Sequence, residues 1–169
     1  EYRDVTETEK ALAEVKEALI GFAAVNRRLP RPAVSALNGA ERPQCANDTT
    51  CTGFVPWETL GVRKLDAWNK IIRYSVTPAF AGGTVVGTDI PIALTSGPTK
   101  NIRTRDSSSV ADTPLATGVP AVVFSQGKRS WGTDSQGNAI PDSAANNADE
   151  DANNAGPTTF YSRLTSPDT

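Results

Sequence analysis

"ALIGFAAVNRRLPRP", residues Ala18 to Pro32, is half apolar and helical in pattern, and it stops abruptly at two prolines. Proline ring sterics exclude the helical conformation from the preceding residue, so Pro30 and Pro32 end the helix. Toward the amino terminus, Leu12, Val15, Leu19 and Phe22 recur at helical spacing. At about 100° per residue they share one stripe, flanked by Ala11, Ala18 and Ala23, with Lys10, Glu14, Glu17 and Arg28 opposite. Thr6 with Glu9 three residues on has the pattern of a capping box. Acidic residues (Glu1, Asp4, Glu7, Glu9) crowd the first turns and Arg27 and Arg28 the last, which suits the helix dipole. The expectation is an amphipathic helical segment over 1–29, about 36 Å long between Thr6 and Pro30, with one face for packing and one for water.

Composition limits what this helix belongs to. The chain has 169 residues, 38% of them hydrophobic and 21% charged, enough for one domain with a modest core. Its net charge of −2 gives no field for phosphate backbones, and its three Trp and five Phe are not interleaved with Lys or Arg. Nucleic acid is therefore not an expected partner. There is no His, the commonest general base and metal ligand, and no Met, from which processing or trimming of the chain is expected.

The segment 30–66 is rich in turn-forming Pro, Asn, Asp and Thr and holds both cysteines, Cys45 and Cys51. With no other Cys or His for a zinc site, a short disulfide explains them better than ligands or two free thiols in a reducing cytosol. Such a bridge implies an oxidising compartment. Over 67–169 the chain reads as short strands and wide loops. "NKIIRYSVTPAF" (Asn69 to Phe80), "GVPAVVFSQG" (Gly118 to Gly127) and "TTFYSRLTS" (Thr158 to Ser166) carry β-branched and aromatic residues. "PIALTS" and "NIRTRD" are weaker candidates for a hairpin around Gly97 and Pro98. One helix followed by strands, without βαβ alternation, predicts an α+β domain with a long amino-terminal helix packed on an antiparallel sheet. "TDSQGNAIPDSAANNADEDANNAGP" is acidic and amide-rich, and reads as a solvated loop.

Three stretches, in this order and spacing, carry a family resemblance: "ALIGFAAVNRRLPRP", "CTGFVPWETLGVRKLDAWNKIIRYSV" and "VPAVVFSQGKRSWGTDSQGN…NADEDANNAGPTTFYSR". Together they resemble the soluble heads of prepilin-type proteins, the type IV pilins and type II secretion pseudopilins. The most specific block is Gly53-Phe-x-Pro-Trp-x-x-Leu-Gly61, followed by Asp66-Ala-Trp68 and Arg73-Tyr74. Trp57, Leu60, Trp68 and Tyr74 are large apolar bodies, three with polar tips, suited to seating a loop on helix and sheet. The resemblance implies that Glu1 sits in the middle of a longer helix whose apolar half anchors the protein in a membrane. Asn69, where relatives often have Gly, and Arg31, where they often have Cys, depart from the pattern, so the family's disulfides are not carried over. The usual further carboxy-terminal strand after "TTFYSR" is also missing, an expectation of trimming at both ends. Some pseudopilins bind calcium in the loops after the "VVFSQG" strand, which makes Asp134, Asn138, Asp149 and Asp151 candidate ligands; a hydrated turn is the alternative.

Among function classes, an enzyme lacks support. There is no His and no G-x-S-x-G elbow, and Ser125 has no partner that sequence nominates. A tip adhesin using Trp131, Tyr161 and the polar loops to bind surfaces or carbohydrates is one alternative. The expectation drawn from the resemblance is a filament subunit, inner-membrane anchored with a periplasmic head and then part of a pilus or pseudopilus. Its partners would be other subunits of the filament and the inner-membrane assembly machinery. Without the anchor, the piece in hand is expected to be a soluble monomer or weak dimer.

Overall fold

A computed structural model describes residues 2–82, 97–105, 112–128, 131–142 and 148–162. It is an α+β fold. Helix α1 (Tyr2–Asn26) is followed by β1 (Thr52–Phe54), a short helix α2 (Trp57–Leu60), β2 (Arg73–Val76) and a 3₁₀ turn (Pro78–Ala81). Then come β3 (Lys100–Arg105), β4 (Asp112–Val119), β5 (Ala121–Phe124), β6 (Gly132–Thr133), β7 (Ala139–Ile140), α3 (Ala148–Ala155) and β8 (Thr159–Tyr161).

Helix α1 packs through Thr8, Ala11, Val15 and Leu19, which are buried, with Leu12 and Phe22 at the margin. Two sequence expectations fail at its ends. Thr6 is not an N-cap: the helix already runs through it, and its hydroxyl donates to the Tyr2 carbonyl one turn back, at 3.0 Å. Arg27 and Arg28 lie past the last turn, because Arg27 takes a left-handed conformation (φ 57°) and turns the chain three residues before Pro30. Arg28 is therefore not on the wet face. It folds back over Phe22, 5.2 Å from the ring centroid, and pairs with Glu41 through both ends of its guanidinium, at 2.6 and 3.1 Å.

Among the described residues the strands form two three-stranded sheets and a ribbon, where the sequence predicts one antiparallel sheet. The first, in the order β1-β2-β5, is antiparallel throughout, with Tyr74 opposite Gly53 on one side and Val123 on the other. Tyr74 and Val76 face α1 with Val55 and Ile72, and this cluster with Ala11, Val15, Leu19, Cys45 and Cys51 is the hydrophobic core. The second sheet is β4-β3-β8. β3 pairs antiparallel with β4 through two register irregularities, but parallel with β8, which arrives by way of α3 and so runs in the same direction. "NIRTR" (Asn101 to Arg105) of the segment "NIRTRD" is thus strand, paired with β4 and β8; Asp106 and "PIALTS" lie outside the described residues. Strands β6 and β7 close a hairpin, and α3 is a helix, both inside the segment read as a solvated loop. Among the described residues no helix is long and apolar enough to cross a membrane.

Candidate functional site

The loop after α1 is seated by the aromatic residues that the sequence singles out. Tyr74 is fully buried and donates its hydroxyl to the Pro30 carbonyl at 2.8 Å, which stops the proline turn against the sheet. Burial, followed by the charge of Glu41, pushes the Tyr74 pKa well up. Trp57 lies flat over Gly39, where any Cβ would collide with the indole ring, so that glycine is required for the approach. Lys64 covers the Trp57 ring at 4.7 Å from its centroid and donates to the Ser135 carbonyl at 2.8 Å, joining this loop to the β6-β7 hairpin.

Cys45 and Cys51 form a disulfide, with Cα atoms 5.0 Å apart and both side chains in the core. The ring it closes carries Asp48, the centre of a polar clasp that sequence reasoning missed. Lys100, fully buried at the start of β3, donates its ammonium to Asp48 at 2.7 Å and to the Pro157 carbonyl at 2.6 Å. Thr99 adds a hydroxyl to the same carboxylate oxygen at 2.5 Å and takes Thr77 as its own acceptor for the backbone N–H at 3.0 Å. Disulfide ring, β3 and the approach to β8 thus meet at the Asp48–Lys100 pair. The two partners gain unequally. Partial burial raises the Asp48 pKa, but the hydrogen bonds from Lys100 and Thr99 and the Lys100 charge outweigh it and hold the carboxyl below its ordinary value. Lys100 loses more to dehydration than Asp48 restores, and its pKa is lowered. No sequence motif marks this pair, since its members stand 52 residues apart.

Asp66 organises the loop before β2 in a similar way. One carboxylate oxygen accepts the N–H groups of Trp68 and Lys70, and the other accepts the Ser125 hydroxyl at 2.5 Å. Ser125 also accepts the Gly127 N–H, at 3.1 Å, so this serine fastens the end of β5 to the loop.

Of the calcium candidates, Asp134 and Asn138 bond each other and Asp151 has a partner of its own. The Asp134 carboxylate is engaged within its own hairpin turn by the Asn138 side chain at 2.9 Å and by the N–H groups of Asn138 and Gln136. These bonds, the Asn138 side chain first, depress its pKa. Asp151 on α3 accepts the Trp131 indole N–H at 3.0 Å, and Asp149, two residues earlier on the same helix, is buried. Among the described residues, no three acidic, His or Cys side chains are grouped to hold a metal.

Between the two sheets lies a cleft of about 460 Å³, lined by Leu12, Leu115, Phe124, Phe160 and Tyr161 among others. Phe124 and Phe160 meet at its floor, with ring centroids 5.1 Å apart. Tyr161 is therefore at a concave surface; Trp131 is not among the cleft residues and stands against α3. Comparison with family models, with curated proteins and with solved structures gives no match.

Proposed function

We propose that this chain is the head domain of a filament subunit of the prepilin type, a structural component of a type IV pilus or a type II secretion pseudopilus. The observation that carries the reading is the two-faced character of α1. Ala11, Val15 and Leu19 are locked into the core with residues of β2 and β5, while Glu9, Glu14, Glu17 and Ile20 remain at the surface. A helix held in this manner fixes a head on a rigid stem and leaves a second face for neighbouring subunits. The disulfide supports an oxidising location such as the periplasm or the cell exterior. In this reading the full-length protein is inserted in the inner membrane before assembly, its partners are sibling subunits and the assembly machinery, and it has no catalytic role.

The upstream reading frame tests the proposal. It should encode a short basic leader and an apolar run of about 20 residues continuous with α1. Immunogold labelling of surface or periplasmic filaments should follow the tagged full-length product. An upstream frame without the apolar run, or a product found only as a free soluble protein, overturns the reading.

The aromatic cleft favours a second reading, a tip subunit that binds a surface or carbohydrate ligand. In that case a glycan array probed with the head should give hits that Phe160→Ala or Leu115→Lys removes; an array without such hits rejects it.

A further inference from the structure

Arg73 stands in the middle strand of the first sheet, directly across from Phe54 on β1 and Phe124 on β5. Its guanidinium lies 5.3 Å from the Phe54 ring centroid. The other arginines around the helix-to-sheet loop are matched. Arg28 and Arg31 share Glu41, Arg63 reaches Glu7 and Glu14, and Arg42 spends its nitrogens on the carbonyls of Ala33 and Thr50. Arg73 differs. Among the described residues it makes no ion pair and no side-chain hydrogen bond, and its Nε is closed from solvent without an acceptor. Burial, and then the like charge of Arg42, lower its pKa. Enclosing a guanidinium beside aromatic rings and a like charge, with no counter-ion, costs stability. The side chain is only partly buried, which leaves the terminal nitrogens as the accessible end.

We propose that Arg73 is the receptor for a carboxylate carried by another molecule, gripped end-on by its terminal nitrogens beside Phe54 and Phe124. A single charge suits the site because Arg42 is already committed to carbonyl oxygens. The planar guanidinium fork matches the two oxygens of a carboxylate. Flanking phenyl rings favour an acid with an apolar body over a strongly hydrated phosphate. Two sources supply that chemistry: a small organic acid, or an Asp or Glu side chain of a second copy of this chain. Glu9 and Glu17 are exposed on the outer face of α1 and make no ion pair among the described residues, so they are the second copy's candidates. Only that source rests on the filament reading.

The test follows the Arg73 Nε–H resonance in labelled protein during titration with sodium propionate, with sodium chloride at matched ionic strength as control and inorganic phosphate as a second probe. A saturable shift with propionate is expected, weaker with phosphate and missing with chloride. Arg73→Gln should abolish binding, followed by calorimetry, and Arg73→Lys should weaken it about tenfold. Sedimentation over a concentration series then assigns the source. Association lost in both Arg73→Gln and Glu17→Gln names the second copy, whereas propionate binding by a monomer names the small acid. Should the glutamine variant fail to fold, the lysine variant decides. Propionate affinity or self-association unchanged in Arg73→Lys overturns the proposal, as does a wild type that neither binds propionate saturably nor associates.

Discussion

On the α1 side of β2, Tyr74 and Val76 pack with Val15, Leu19, Val55 and Ile72, and apart from the Tyr74 hydroxyl on the Pro30 carbonyl the contacts are apolar. At the start of β3 the neighbours are Asp48 and the Pro157 carbonyl on a buried ammonium, with Thr99 on the Asp48 carboxylate, while Leu115 on the adjoining β4 stays 51% exposed. One sheet is held by area removed from water, which has no direction and tolerates local repacking. The other is held by a few directed bonds, each of which leaves an unsatisfied buried group when its partner is lost. The two halves of one small domain should therefore fail in different ways.

The largest effect is expected from Leu19→Asp, which places a charge in the apolar half without a partner. It should cost at least about 4 kcal/mol and leave the head unfolded. Urea titration followed by far-UV circular dichroism checks this, and a cooperative transition near that of the wild type would contradict the packing of α1.

In the polar half, Asp48→Ala strands the Lys100 ammonium. Because Asp48 is itself 28% exposed at its side chain, the expected cost is about 2–3 kcal/mol, below that of a fully buried pair. Lys100→Met added to Asp48→Ala should recover most of the loss, since methionine fills the space and needs no anion. A double variant no more stable than Asp48→Ala would show that the clasp holds by shape and not by charge.

Replacing Cys45 and Cys51 together by serine should cost roughly 2–2.5 kcal/mol, the chain-entropy value for so short a ring. Intact mass and thiol labelling under native conditions check that the bridge is present in the wild type. The smallest effect is that of acid. The Asp48 pKa is lower in the folded chain than its ordinary 3.8, so its contribution is complete above that value and is lost as pH falls from about 4 through the folded pKa. The wild type should lose melting temperature in that window more steeply than the Asp48→Ala, Lys100→Met variant. Parallel curves would remove Asp48 from the account.

The same contrast explains what the sequence made legible. Helical spacing of Leu12, Val15 and Leu19 and the β-branched run into Val76 follow from burial, which imposes a period on the chain. The disulfide could be read because it needs only two residues near one another. β4 was missed because "DTPLATGV" contains Pro114 and Gly118, residues that weaken a strand signal yet are tolerated on an outer strand of a sheet. α3 was missed because "ADEDANNA" has poor helix propensity. Its Asn153 side chain bonds both backbone groups of Tyr161, at 2.6 and 2.9 Å, a tertiary fastening no local pattern displays. The Asp48–Lys100 clasp and the placing of Arg73 beside Phe54 depend on which side chains the fold brings together, and the family resemblance was silent on both.

The position of Asp48 inside the disulfide ring ties the two halves together thermodynamically. A carboxylate on an open loop must be gathered from many orientations before it meets an ammonium, whereas one on a small closed ring is presented at high effective concentration. Oxidation of two core cysteines on the α1 side therefore sets how firmly β3 is gripped on the other. Reduction should first loosen Lys100 and the approach to β8, so that hydrogen exchange quickens in the second sheet while the α1 core, with its own apolar contacts intact, still protects its amides.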